Sequence, residues 1–114
     1  MLTMYGIPNC DSCRKARKWL EASAVEYRFH DLRADGLTSA DIERWLQFVP
    51  REKLLNSRST TWRALPESER CELDVVKVRS LLLDHPTLIK RPVLENDEHV
   101  LVGFVPDQYK ELLG

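Results

Sequence analysis

An α/β domain that opens β-α-β and closes β-β-α is the fold this sequence predicts, and three observations carry it. Leu2 and Met4 alternate with polar neighbours before Tyr5, and after Cys10 the residues Ala16, Trp19 and Leu20 recur at helical spacing. Alternation returns in Glu26-Tyr27-Arg28-Phe29-His30, so Val25 to His30 reads as a second strand, parallel to the first through a helical crossover. Near the other end, Pro92-Val93-Leu94, Asn96-Asp97-Glu98 and Val100-Leu101-Val102-Gly103 have the pattern of a hairpin. Pro106 then suits the first turn of a last helix carrying Tyr109, Leu112 and Leu113.

The segment between these units reads as helical. Asp35-Gly36 marks a turn, and Thr38-Ser39-Ala40-Asp41 has the form of a helix cap before Ile42, Trp45, Leu46 and Val49. Pro50 interrupts that helix. Arg51 to Leu55 then lead into Asn56-Ser57-Arg58-Ser59-Thr60-Thr61-Trp62-Arg63, polar and without a clean period, which predicts a loop or broken helix over the site. Asp74 is placed to cap a helix whose buried stripe is Val75, Val78, Leu81 and Leu82, closed by His85-Pro86. No internal repeat or flexible linker appears, so the helical middle is read as an insertion in one domain.

Composition narrows the function. A chain of 114 residues with 43% hydrophobic and 31% charged residues is that of one globular domain. The formal charge of −1 leaves no general basic footprint for nucleic acid. Met1-Leu2-Thr3-Met4-Tyr5 lacks the charged and long apolar parts of a signal peptide, and no run is long enough for a membrane span, which predicts a cytoplasmic protein. Three cysteines, two of them closely spaced, fit redox or nucleophilic work in a reducing compartment better than a disulfide framework.

The chemistry centres on Cys10 in Tyr5-Gly6-Ile7-Pro8-Asn9-Cys10-Asp11-Ser12-Cys13, where a strand turns into a helix. The first N–H groups of a helix have no intrahelical partner and its dipole is positive there, so a thiolate is favoured. Helix N-termini and cations lower a free cysteine's value of about 8.5 by roughly one to several units. Cys13, three residues on, is within reach of the same sulfur and suited to resolve a mixed disulfide formed on it. Among Arg14, Lys15, Arg17 and Lys18, Arg14 is the residue placed for a direct contribution. Two plainer readings compete. Half of a zinc site needs further ligands, but Cys71 stands alone and His30, His85 and His99 are widely spaced, so no metal is predicted. Alternatively, both cysteines pack as small hydrophobes, which the strand-turn-helix setting disfavours. Cys71, among Glu67, Glu69 and Glu72, reads as a bystander.

The β-α-β and β-β-α units, with a cysteine at the first helix and a proline opening the hairpin, resemble the thioredoxin fold. That resemblance implies a thioredoxin-like core of about residues 1–31 and 88–114, a mixed sheet, a helical insertion of about 32–87, and a cis Pro92 facing Cys10. More specifically the chain resembles the arsenate reductase-like (ArsC) family and, within it, the YffB group of glutathione-dependent thiol reductases. The resemblance rests on Tyr5-Gly6-Ile7 with Asn9-Cys10-Asp11, on Tyr27-Arg28-Phe29-His30-Asp31, and on Asp35-Gly36-Leu37. It continues in Leu54-Leu55-Asn56 with Arg58, in Thr60-Thr61-Trp62-Arg63, in Ile89-Lys90-Arg91-Pro92 and in Gly103-Phe104. It implies a nucleophilic Cys10 with Arg91 beside it, a guanidinium that favours the thiolate and offers a fork to an oxyanion or to a carboxylate of glutathione. It also implies glutathione as co-substrate with no bound cofactor, a small-molecule or protein disulfide as partner, Asn9 and Arg91 orienting it, and Asn56, Arg58 and Thr61 meeting glutathione.

Two alternatives accompany this reading. The family's arsenate reductases hold their oxyanion with several arginines and carry a histidine shortly before the cysteine. Here the histidine position is Gly6, one arginine position falls on Asn56 with Arg58 two residues later, and another falls on Phe104. Cys10-Asp11-Ser12-Cys13-Arg14-Lys15-Ala16-Arg17 with Trp19-Leu20-Glu21 is also similar to Spx, a redox-sensing regulator that binds RNA polymerase, in which the cysteine pair is a switch. The glycine with which Spx contacts the polymerase falls at or near Pro50, and the longer C-terminal extension of Spx is not expected after Gly114.

Overall fold

The computed structural model describes residues 2–113. Four strands, β1 (Thr3–Gly6), β2 (Arg28–Asp31), β3 (Val93–Glu95) and β4 (Val100–Val102), form one sheet in the order β2-β1-β3-β4. β1 and β2 are parallel, whereas β1 with β3 and β3 with β4 are antiparallel. Helix α1 (Asp11–Ala22) makes the crossover between the parallel strands, and α7 (Pro106–Leu113) follows the hairpin. This is the mixed sheet of the thioredoxin-like fold.

The register explains the core. Met4 pairs with Leu94 across β1 and β3, and both are fully buried with Leu2 beside them. Ala16 and Leu20 of α1 and Tyr109 of α7 pack on the same cluster, so one sheet face is covered by two helices. Trp19 and Phe104 meet the Tyr109 ring edge-on at centroid distances of 5.6 and 5.1 Å.

The chain clusters into two compact units: residues up to Gly36 together with those from Arg91 onward, and Leu37–Lys90. The turn between Asp31 and Gly36, read from the sequence as part of the insertion, thus belongs to the sheet unit. Its residues show why. Asp31 accepts from the N–H groups of Arg33 and Ala34 at 2.8 and 3.1 Å, and His30 Nε2 lies 2.7 Å from the Gly36 carbonyl oxygen. Gly36 has φ +88°, a conformation that favours glycine. Those backbone N–H groups, Ala34 first, also hold the Asp31 carboxyl below its ordinary value.

The second unit contains α2 (Ser39–Leu46), α3 (Arg51–Leu54), α4 (Thr60–Ala64), α5 (Glu67–Arg70) and α6 (Val75–Asp84). Thr38 and Asp41 form a reciprocal capping box on α2, and Asp74 accepts from Lys77 N–H to open α6. Ile42, Trp45, Val78, Leu81 and Leu82 are buried, as their spacing requires. Val75, read from the sequence as the start of the α6 stripe, is instead exposed, because the first turn of the helix lies beyond its packed face. The polar stretch after Leu55 is a broken helix: Ser59 caps α4 by accepting from Trp62 N–H. An antiparallel bridge from Leu55 to Ile89 closes this unit near its end. No helix among the described residues is long and apolar enough to cross a membrane.

Candidate active site

β1 delivers the chain through Ile7, Pro8 and Asn9 to Cys10, which has extended backbone (φ −146°, ψ 123°) and occupies the N-cap position of α1. Its carbonyl already accepts the first helical bond, from Arg14 N–H at 2.9 Å. Its side chain makes no close cap hydrogen bond of the kind an oxygen makes there. The sulfur is half-buried and its thiol is pulled below the ordinary value. Burial opposes that shift, but it is outweighed by the Cys13 N–H and the Cys13 thiol, which both point at the sulfur, and by the Arg91 guanidinium, which donates to it and adds a positive charge.

Cys13 is the opposite case. It is 1% exposed, and burial, followed by its hydrogen bond to Cys10 and the Cys10 charge, pushes its thiol up to about 12 against the help of the Ile7 N–H. Of the pair, Cys10 is therefore the thiol that ionises first, and Cys13 the one that keeps its proton and donates to it. Cys71 is exposed, and its thiol donates to the Ser68 carbonyl at 3.4 Å.

Arg91 and Pro92 enter from the segment before β3, and the peptide between them is cis. Pro92 is buried, and its carbonyl accepts from Gly103 N–H at 2.9 Å, which ties it to the end of β4. The expectation that Arg14 would supply charge directly to Cys10 is corrected: Arg14 is exposed and pairs with Asp11 at 2.5 Å, and Arg91 is the cation that acts on the sulfur. Arg17 likewise has a local task, with its guanidinium 4.2 Å from the Phe29 ring centroid and its Nε donating to Tyr27 Oη at 3.0 Å.

Asn9 is exposed beside Cys10 in the turn. Asn56, Arg58 and Thr61 lie in the second unit. Asn56 is held by its N–H to the Leu88 carbonyl at 2.7 Å and by its Oδ1, which accepts from Arg58 N–H. Thr61 Oγ1 meets Thr87 Oγ1 at 2.7 Å, and Arg58 is exposed. Among the described residues no three His, Cys, Asp or Glu side chains gather to hold a metal ion.

Two contributors escaped the sequence reading. The Ile7 N–H that faces Cys13 is backbone and carries no residue signal. Gly6 closes β1 directly against Cys13, and a Cβ added there would lie 2.6 Å from the Cys13 sulfur. A glycine in a strand, here at its last residue, is itself a mark of close approach, and that was the available signal.

A thioredoxin-like domain with a cysteine pair at the start of its first helix is the class these elements define. Within that class the chain belongs to the ArsC family, which it matches over residues 5–112. It is similar to a solved structure described as a YFFB protein, with TM-score 0.97 and 41% identity over the full length of both chains. An arsenate reductase (ArsC) related protein from Brucella melitensis is 47% identical, covering 96% of this chain and 92% of that one, with TM-score 0.77. The global transcriptional regulator Spx of Staphylococcus epidermidis is 28% identical over 99% of this chain and 87% of its own length.

Proposed function

We propose that this protein is a cytoplasmic thiol reductase that uses glutathione. The observation that carries the reading is the asymmetry of the cysteine pair: Cys10 is accessible at the helix start, with Cys13 and Arg91 lowering its thiol, whereas Cys13 is buried and its thiol is raised. Cys10 attacks one sulfur of a disulfide. That bond breaks, Cys10 becomes a mixed disulfide, and the departing thiolate takes a proton from solvent. Loss of the Cys10 charge then removes one of the causes that raise Cys13, so its proton leaves more readily in the intermediate than at rest. The Cys13 thiolate attacks the Cys10 sulfur, forms the Cys10–Cys13 disulfide and expels the second thiolate. One glutathione reopens that disulfide at Cys10, and a second removes the first as glutathione disulfide, so two electrons pass from glutathione to substrate. In a second route, glutathione releases Cys10 from the first mixed disulfide without Cys13. Asn9 and Arg91 orient the partner, and Asn56, Arg58 and Thr61 are assigned to glutathione.

The test is turnover of hydroxyethyl disulfide with glutathione, coupled to glutathione reductase, in the wild type and Cys10→Ser. Loss of turnover in the variant is expected, and an unchanged rate overturns the reading. Arsenate offered instead, with arsenite as the measured product, separates this activity from arsenate reduction.

A second reading is favoured by the similarity to Spx across almost the whole chain. In it the same cysteine pair is a redox switch on contact with RNA polymerase. Retention of the protein on the polymerase α subunit in one redox state supports it, and no retention in either state removes it.

A further inference from the structure

We infer that Gly6 is the positioning residue for the dithiol: its bare Cα is what lets the Cys13 sulfur stand within reach of Cys10. The inference rests on the reading of Cys10 as the nucleophile. An ideal Cβ on Gly6 falls 2.6 Å from Cys13 Sγ, closer than real carbon–sulfur contacts, and 3.6 Å from both Cys13 Cβ and Phe29 Cε1, which are ordinary contacts. The obstruction is thus the sulfur alone.

Neither backbone is placed to retreat. β1 is a central strand: Gly6 is in register with Asp31, its carbonyl accepts from Leu32 N–H at 2.9 Å, and Tyr5 before it is in register with both His30 and Val93. On the other side, Ala16 and Leu20 continue the Cys13 face of α1 into the core with no exposure. Relief therefore falls to the one rotatable bond of the Cys13 side chain, which would carry the sulfur off the Ile7 N–H and away from Cys10. Unlike Gly36 and Gly103, Gly6 does not have the positive φ that favours glycine. A glycine costs stability through backbone entropy wherever the chain is fixed, as Gly6 is at the paired end of β1, so its place here is explained by the room it leaves. Positions 6 and 13 are in this sense one device, because a side chain at the first and a thiol seated in this slot at the second exclude each other.

The test is a four-protein cycle of wild type, Gly6→Ala, Cys13→Ala and the double variant. Cys10 pKa is read from the pH dependence of its alkylation by mass spectrometry. Formation of the Cys10–Cys13 disulfide in a glutathione redox buffer is timed in the two proteins that keep Cys13. Gly6→Ala is expected to raise the Cys10 pKa by about 0.5 to 1 unit, the scale of one lost hydrogen bond to the thiolate. It is expected to slow disulfide formation by ~10- to 100-fold, the scale for a displaced reacting atom. In the Cys13→Ala background the same change should leave the Cys10 pKa where Cys13→Ala alone puts it, since no sulfur remains to displace. An equal shift in both backgrounds, or no shift with undiminished disulfide formation, overturns the inference. Should Gly6→Ala fail to fold, the double variant is expected to fold and melt like Cys13→Ala, and failure of both overturns it as well. An ordinary Cys10 pKa in the wild type strikes the nucleophile reading, whereas a depressed one indifferent to Gly6 strikes this inference alone.

Discussion

Helices α2, α4 and α6 begin on an oxygen, and α1 begins on a sulfur. Thr38, Ser59 and Asp74 each accept a hydrogen bond from the N–H three residues on, at 3.2, 3.1 and 2.8 Å. Cys10 stands at the same position in α1 and forms no close bond of that kind, yet the Cys13 N–H three residues on still acts on its sulfur. An oxygen cap uses the helix start to close the helix. The larger, softer sulfur leaves the start open and turns the same donor to stabilising a negative charge. The same local geometry thus serves stability in one unit of the chain and reactivity in the other.

Replacing the sulfur by an oxygen is the most severe way to break that contrast. Cys10→Ser is expected to lower disulfide turnover by ~10³-fold or more, because an unactivated hydroxyl does not replace a thiolate nucleophile. The same change should supply α1 with the cap it lacks and raise stability by up to ~1 kcal/mol at a pH below the Cys10 pKa. That advantage shrinks as pH rises. A group whose folded-state pKa is depressed contributes stability above its unfolded value, near 9.0 for this thiol, and loses it as pH falls through the folded value. Urea unfolding at several pH values reads this directly, and a serine variant less stable than wild type at every pH would break the comparison.

The next effect separates cations near in sequence from cations near in space. Arg91→Ala is expected to raise the Cys10 pKa by about one unit, the lower end for losing an opposite charge at close range. Arg14→Ala should leave it unmoved, since that guanidinium is engaged by Asp11. Alkylation rates against pH in both variants decide it, and a shift with Arg14→Ala would return the charge to the helix itself. Smaller still are the oxygen caps. Thr38→Ala and Asp74→Ala should each lower stability by about 1 kcal/mol in thermal melts and leave the Cys10 pKa unchanged.

How much of this could be read in advance follows from the range of each signal. Periodicity placed β1, the hairpin, α2 and α6, because apolar spacing and caps are local. It placed β2 too early, at Val25 rather than Arg28. Ala24 takes φ 54° and Val25 N–H turns back to the Leu20 carbonyl at 3.0 Å, so those residues finish α1 before pairing begins. α5 (Glu67–Arg70) was invisible, since Glu-Ser-Glu-Arg buries none of its residues and has no apolar face to show. At the site, the cysteines were legible from spacing and Arg91 only through family resemblance. The Gly6 contact needed the strand and helix brought together, and the assignment of Arg14 failed because neighbours on a helix surface satisfied each other first.

Tyr109 gives the smallest expected effect and sharpens the contrast from the core of the sheet unit. Its ring is fully buried between Trp19 and Phe104, yet its hydroxyl has no hydrogen-bond partner among the described residues. A hydroxyl taken out of water without a partner costs about 1–3 kcal/mol, partly offset by whatever contact its oxygen makes. Tyr109→Phe keeps the ring and removes that cost, so a gain of about 0.5–1 kcal/mol is expected in chemical denaturation at neutral pH. Burial, with the Cys13 charge adding to it, pushes the phenol above its ordinary 10.0. A group raised in the folded state contributes stability below its unfolded pKa and loses it as pH rises toward the folded value, so the wild type should weaken above pH 10 and the advantage of the phenylalanine variant should widen there. A variant less stable than wild type at neutral pH would show that the hydroxyl is satisfied after all, and that this helix, unlike α1, leaves no polar group waiting for a partner.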